Sequence, residues 1–553
     1  MSGEVTDSSP PAAEPAAEPA EETGPSTARR RALKATAAAF FCLGIWALSP
    51  IYPDEIAYRQ QFGRIIPDHG VIYGLYEMCP SNIKTVPLVL EPVAWLLGQT
   101  MRILSPLEMR ILSFAAVLAV VFMAVRQAAS NRNPAAGYLV LASFVGVAGA
   151  GLIFVRYEFA LELQLLSCLV AAARLTSRRT GVAGDLGVAI GLLLAAALSV
   201  WSHVQGLLFL PLTAYLLARL AVRRFGSVGL LAAAVPFVLF VPPAMKLHHS
   251  VCTEHPEIEA FWRSLAFDGS DLGARNLAVA LANTARSYVG SFVYAPLFPI
   301  RFLPGVDAPS GPITVMNLLI SVVVVLLAGL VLYLLTMASI RCGKSIRFRS
   351  RDTTFPERFE KNQPVVIAAL ITLPVAILFV YDAQHAFYRN FYLNHLTSVA
   401  ACLILASVSG PLALRFTKGA SVLVGIVVGA SLIFNAFLFV RPLANGYEGP
   451  SLSVLRRWPQ VSRDTAELAR VCKMDLGRGR IIVDDLTQAG VYSRPMTIPL
   501  TYLHLQADLV GMSAHDAAIE MKANYAILRC PDFDVLGVAP QGRTGDVCCY
   551  TFG

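Results

Sequence analysis

Runs of about twenty consecutive apolar residues recur along this chain, the length that carries a helix across the hydrocarbon core of a bilayer. In lipid every backbone N–H and C=O must be satisfied within the segment, so such runs must be helical. Apolar residues make up 55% of the 553 residues and charged ones only 15%. The expected class is therefore an all-α polytopic membrane protein. Spans are expected at 33–51, 107–125, 135–154, 159–173, 182–201, 206–221, 230–245, 313–340, 364–381, 395–414 and 421–440, about eleven crossings in all. A net charge of +8 would suggest nucleic acid in a soluble protein. Here Lys and Arg cluster between the apolar runs, where they orient helices, so the expected partner is the bilayer and not nucleic acid.

The charges also set the topology. Residues 1–28 are mostly Ala, Pro, Glu, Ser and Thr and have nothing to bury, so they read as a disordered cytoplasmic tail. Because acidic residues precede Arg29-Arg30-Arg31 and no convincing cleavage site follows, the start of the chain does not read as a signal peptide. The basic cluster places the N-terminus in the cytoplasm of a bacterial inner membrane. The expected inner segments then carry Arg126 and Arg132; Arg174, Arg178 and Arg179; Arg219, Arg223 and Arg224; Arg341 through Lys361; and Arg415 with Lys418. Every one is basic, as cytoplasmic loops require.

The resulting division is a transmembrane domain over 29–440, with a first periplasmic loop at 52–106 and a large one at 246–311, followed by a periplasmic domain over 441–553. In that last domain a helix at 462–472 and β-like runs at 480–483, 526–528 and 549–552 predict a small α/β fold. Val483-Asp484-Asp485-Leu486 reads as a strand followed by a helix cap or turn. Cys79, Cys252, Cys472, Cys530, Cys548 and Cys549 fall on the outer side, where disulfides can form. The adjacent Cys548 and Cys549 are expected to take different partners, although connectivity is not legible in sequence.

Polar residues gather at the outer ends of the spans. Directly after the first apolar run comes Ile51-Tyr52-Pro53-Asp54-Glu55-Ile56-Ala57-Tyr58-Arg59. Pro53 suits the first turn of a helix, Asp54 and Glu55 would stabilise its N-terminus, and Glu55 could pair with Arg59 one turn on. Residues 54–66 and 84–104 read as amphipathic helices lying on the outer surface. Arg156-Tyr157-Glu158, the stretch Trp201-Ser202-His203, and a late loop containing His385 and Arg389 lie at the same depth. Each alone could snorkel, cap a helix or join an aromatic belt, but together they favour a shared external cavity. A carboxylate there can take the proton of an acceptor hydroxyl, while nearby Lys and Arg hold a departing phosphate. Since no nucleotide is supplied outside the cell, a lipid phosphate is the natural donor.

Three of these motifs carry a family resemblance. Pro53-Asp54-Glu55-Ile56-Ala57-Tyr58, Ile83-Lys84-Thr85-Val86-Pro87-Leu88 with Trp95-Leu96-Leu97-Gly98, and Met109-Arg110-Ile111-Leu112-Ser113 together resemble motifs of the GT-C superfamily of integral-membrane glycosyltransferases. That superfamily includes the protein mannosyltransferases and the aminoarabinose transferases of lipid A. The resemblance covers about the first 220 residues, beyond which only the layout matches. It departs from the family where Thr85 and Val86 separate Lys84 from Pro87.

The resemblance implies a bundle with an outer C-terminal domain and a transferase that moves a sugar from a polyprenyl-phosphate donor to a glycan, lipid or protein acceptor. Asp54 would be the general base and Glu55 its alternative or helper. Lys84 would contact the lipid phosphate, with Arg59, Arg156, Glu158 and His203 lining the cavity, and His385 or Arg389 completing the phosphate site. No cofactor is required, although two adjacent acids could bind a divalent metal. The alternatives are a transporter or flippase of a lipid-linked sugar, or a non-catalytic envelope assembly subunit.

Overall fold

The structure is a computed structural model. It describes residues 25–48, 106–130, 134–145, 157–176, 181–202, 209–231, 233–239, 417–440, 452–475, 479–491, 496–501, 511–530 and 536–552, with isolated positions that include Ile51, Glu55, Ile56, Arg59 and Leu104. The expected spans at 313–340 and 395–414, the loop at 246–311 and most of both expected surface helices lie outside the described residues. Described residues from those two helices, at 55, 56, 59, 99 and 103, are helical.

The described part is mostly helical, with a small C-terminal sheet. Helix α1, Pro25–Leu43, opens on a proline, whose missing N–H costs nothing there, and ends in a 3-10 turn, Gly44–Leu48. It begins ahead of Arg29-Arg30-Arg31, so the basic triplet lies on its second turn. Then come α2 (Pro106–Ser130), α3 (Pro134–Ser143), α4 (Tyr157–Thr176), α5 (Val182–Ser202), α6 (Leu210–Phe225) and α7 (Thr417–Val440). By length and composition three helical stretches among the described residues could cross a membrane: Ser26–Leu48, Leu107–Ser130 and Val182–Ser199. A pair bent by 47°, Leu210–Leu231 with Ala233–Leu239, makes a fourth if it counts as one span. These helices mark a membrane protein, and their exposed Phe41, Leu186 and Val238, with Ile433 of α7, are side chains that lipid would cover.

Polar contacts set the directions of the helices. Gln164 Nε2 donates to Thr213 Oγ1 at 3.1 Å, and Arg223 Nη1 donates to the Arg174 carbonyl at 3.1 Å. Both contacts join α4 to α6 at the same sequence separation, 49 residues, so the two helices run parallel. Between them α5 runs the other way, tied at its start by Arg174 Nε to Asp185 Oδ1 (2.7 Å) and by Arg174 Nη2 to the Gly181 carbonyl (3.1 Å). The end of α4, the start of α5 and the end of α6, carrying Arg174, Arg223 and Arg224, therefore share one end of the bundle. α1 and α2 form a second hairpin, in which the rings of Phe40 and Phe114 lie 5.5 Å apart. α7 packs on α1 and α3.

The C-terminal domain holds α8 (Leu452–Val471), β1 (Arg480–Val483), α9 (Gln488–Val491), β2 (Met496–Pro499), α10 (Ala514–Glu520), β3 (Tyr525–Arg529), β4 (Gly542–Thr544) and β5 (Val547–Thr551). α8 starts ten residues earlier than the sequence suggests and contains Pro459. Strand β2, which ends in a proline, and β4, Gly-Arg-Thr without an apolar residue, were not foreseen. The sheet order is β2-β1-β3-β5-β4, with β1 parallel to β2 and β3, and β5 antiparallel to β3 and β4. Alternation along the strands gives the domain two cores. Ile481, Val483, Ile527 and Val547 face α8, while Ile482, Ala526, Leu528 and Tyr550 face α10.

The same alternation explains the cysteines. Neighbours on a strand point to opposite faces, so Cys549 bonds Cys472 at the end of α8, and Cys548 bonds Cys530 on the other side. The expectation that the adjacent pair would take different partners holds.

Close packing of α8 on α9 yields a direct test. A Cβ on Gly490 would come within 2.6 Å of Thr465 Cγ2 and 3.1 Å of the Ser462 carbonyl oxygen. Gly490→Ala is therefore expected to destabilise this domain by about 1–3 kcal/mol, as overpacked cores do. Denaturation of the purified protein would show it, and an unchanged midpoint would mean the two helices separate readily.

Candidate functional site

The acidic stretch after α1 is held at three described points. Glu55 is 5% exposed and Arg110, in the first turns of α2, is fully buried. Arg110 Nε donates to Glu55 Oε1 at 2.9 Å, and its Nη2 donates to Oε2 in a very short contact, so the guanidinium grips both carboxylate oxygens. Such bidentate pairs carry orientation as well as energy. One turn after Glu55, the Arg59 side chain is turned toward the same helix start, where its Nη2 donates to the Leu104 carbonyl at 2.6 Å. Before the acids, the Ile51 amide donates to the Asp485 carbonyl of the C-terminal domain at 3.1 Å.

That last contact belongs to a larger seam. Ile51 and Ile56 are 2% and 1% exposed and lie in one apolar cluster with Val461, Leu468, Val483, Leu486, Val491 and Ile527, with Leu107 of α2 packed against it. The segment after α1, the start of α2 and the C-terminal domain therefore meet around Ile51, Glu55 and Ile56.

On the domain side, the turn after β1 is built by Asp484. Its Oδ1 accepts from the amides of Leu486 (2.9 Å) and Thr487 (2.8 Å), a side-chain turn that replaces backbone pairing. Thr487 Oγ1 in turn donates to the Ile527 carbonyl at 2.7 Å, linking the turn to β3. Arg529, the last residue of β3, closes the arrangement. Its amide donates to Asp484 Oδ2 at 2.7 Å, its Nε to the same oxygen at 3.3 Å, and its Nη2 to Asp485 Oδ1 at 2.6 Å. Val483-Asp484-Asp485-Leu486 is thus a strand followed by a side-chain-stabilised turn, within the alternatives its sequence allowed.

Of the residues the sequence singled out, Glu55 and Arg59 are brought to one place. Glu158 falls in the first turn of α4. Asp54, Lys84, Arg156, His203, His385 and Arg389 lie outside the described residues. Arg110 stood in a quoted motif but its role as the partner of Glu55 was not foreseen, since 55 residues separate them. Arg529 was missed, because a single arginine ending an apolar strand carries no periodic or motif signal. Among the described residues no group of three or more His, Cys, Asp or Glu side chains could hold a metal ion. Glu55, one of the two acids that could bind a divalent ion, has a guanidinium in that place.

No family model and no curated protein matches the chain. Among solved structures, the crystal structure of the Archaeoglobus fulgidus oligosaccharyltransferase in complex with Zn and sulfate is similar over 90% of this chain and 68% of that one. The TM-score is 0.34 and the sequence identity 13%, a likeness that decides neither fold nor activity.

Proposed function

We propose that this chain is an integral-membrane glycosyltransferase of the GT-C type. It moves a sugar from a polyprenyl-phosphate donor to an envelope acceptor, a glycan, lipid or protein, at the periplasmic face of a bacterial inner membrane. The observation that carries this reading is the buried bidentate grip of Arg110 on Glu55. It joins two of the three motifs behind the family resemblance and anchors the acid next to Asp54. The two disulfides of the C-terminal domain support placing that domain, and the acidic stretch docked on it, on the oxidising side of the membrane.

In this reading Asp54 takes the proton from the acceptor hydroxyl, whose oxygen attacks the anomeric carbon opposite the departing lipid phosphate, and the configuration inverts. Glu55 holds the loop rather than moving the proton, because Arg110 occupies both of its oxygens. Lys84, Arg156, Glu158, His203, His385 and Arg389 are assigned to the cavity and its phosphate end. Arg59 lies at the mouth of the second helix of the hairpin. The mechanism requires no cofactor. If a divalent ion assists, a chelator will lower the rate of transfer.

The test compares envelope glycans and polyprenyl-phosphate sugars by mass spectrometry in a deletion strain complemented with wild type or with Asp54→Asn. Loss of one sugar from an envelope polymer, with its lipid donor accumulating in the Asp54→Asn strain, is the expected result. An Asp54→Asn strain identical to wild type removes Asp54 from the mechanism. Were the chain a flippase, its deletion would instead strand the lipid-linked sugar on the cytoplasmic leaflet.

A further inference from the structure

We infer that the C-terminal domain is a positioning element for the acidic stretch, with the turn at 484–487 and Arg529 as positioning residues that act through Ile51. The inference rests on the proposed transferase reading and assigns the domain a part in that same site. It begins with chain connectivity. Residues 52–54 are bounded by Ile51 on one side and Glu55 on the other. Glu55 is fixed to the membrane bundle through Arg110, and Ile51 is fixed to the C-terminal domain through the Asp485 carbonyl. Five residues, 51 to 55, run from one anchor to the other, and a chain of that length has little slack, since consecutive Cα atoms are about 3.8 Å apart.

The placement of the domain anchor is specific. In the parallel part of the sheet, β1 lies between β2 and β3, so the chain leaves β1 to one side and returns on the other. Crevices beyond the carboxyl ends of strands at such a reversal are where open α/β sheets receive ligands. Here the turn that follows β1, braced by the last residue of β3, presents its carbonyl to the chain's own Ile51. Ile51 and Ile56 enter the core beside Val483, Leu486 and Ile527, so these two isoleucines are buried with the domain's own strands. A domain that merely selected acceptors would have no need to bury Ile51 and Ile56, on either side of Asp54 in the sequence, in its core.

The seam has a clear energetic logic. Within the domain Arg529 pairs with both the Asp484 and the Asp485 carboxylates, so the turn is braced by the domain's own residues. Displacing a catalytic group by about 1 Å can cost about 100-fold in rate. Loosening the turn should therefore lower turnover without weakening donor binding.

The experiment uses the full chain purified in detergent. Hydrogen exchange is followed on the peptide covering residues 45–60, and donor turnover is measured in the same preparations for wild type, Ile51→Ala/Ile56→Ala, Ile56→Val and Arg529→Met. Slow exchange of the Ile51 amide in wild type is expected, with fast exchange in the Ile51→Ala/Ile56→Ala and Arg529→Met variants. In both, kcat should fall about 100-fold with donor KM unchanged, while Ile56→Val keeps wild-type turnover and both disulfides form throughout. If the double variant does not accumulate, Arg529→Met decides, because its change lies wholly inside the domain.

Fast exchange at Ile51 in wild type overturns the docking. Wild-type kcat in Arg529→Met with the amide released, or a rise in KM alone, overturns the positioning role. Slow exchange together with full activity of Asp54→Asn leaves the docking in place, removes its proposed catalytic purpose, and marks the failure as that of the transferase reading.

Discussion

Replacing Arg110 with methionine is expected to destabilise the protein by about 3–5 kcal/mol, because it leaves the Glu55 carboxylate buried without its counter-charge. Arg110 is 0% exposed and Glu55 5%, so water cannot take the place of the guanidinium. A buried carboxylate stripped of its bidentate guanidinium either bears a larger desolvation penalty or takes up a proton, and both outcomes favour the unfolded chain. The check is a double-mutant cycle, with Arg110→Met, Glu55→Gln and the pair compared by thermal unfolding in detergent micelles. The paired variant should lose much less than the sum of the two single changes, since neutral Gln beside Met leaves no orphaned charge. If Arg110→Met unfolds at the wild-type temperature, the pair is not the anchor that holds the acidic stretch to α2.

The second large effect concerns the disulfides. Cys472 and Cys549 close a loop of 77 residues, and Cys530 and Cys548 one of 18. In the chain-entropy account a cross-link restricts the unfolded state more as its loop lengthens, giving about 4.5 kcal/mol for the first and about 3 kcal/mol for the second. Removing the first pair with Cys472→Ser/Cys549→Ser should therefore weaken the C-terminal domain more than Cys530→Ser/Cys548→Ser. Pulse proteolysis across a urea gradient would rank them. The reverse order would mean that packing on the α10 face, and not loop closure, dominates. The 472–549 bond also joins α8 to the sheet on the face that receives Ile51 and Ile56, so its loss should loosen the docked loop as well.

Much of the layout was legible because it rests on local physics. Helices α2, α4 and α5 start within two residues of their apolar runs, since a run of about twenty apolar residues has no other way to satisfy its backbone in lipid. Strand β1 was read to the residue, and β3 and β5 to within two, from short β-branched and apolar runs. Helix boundaries set by packing were read less well. α8 extends ten residues ahead of its expected start, through a stretch whose charges and Pro459 argue against a helix. At the candidate site, the acidic stretch itself stood out as the first polar residues after a span.

By itself, then, the sequence determined the membrane class, the alternating directions of α4, α5 and α6, the small α/β domain at the end of the chain and the separate partners of Cys548 and Cys549, all of which follow from hydropathy, charge and strand period. The tertiary structure alone decided what grips Glu55. Glu55 had a candidate partner one helical turn away in Arg59, yet the described grip comes from Arg110, 55 residues on. Ile51, which reads as the end of a span, is instead in the core of the C-terminal domain, 434 residues from the Asp485 carbonyl it bonds (485 − 51). The reason is physical. A local pattern specifies which face of an element is apolar, but a buried ion pair and a docking seam depend on which distant surfaces the folded chain brings within a few ångströms.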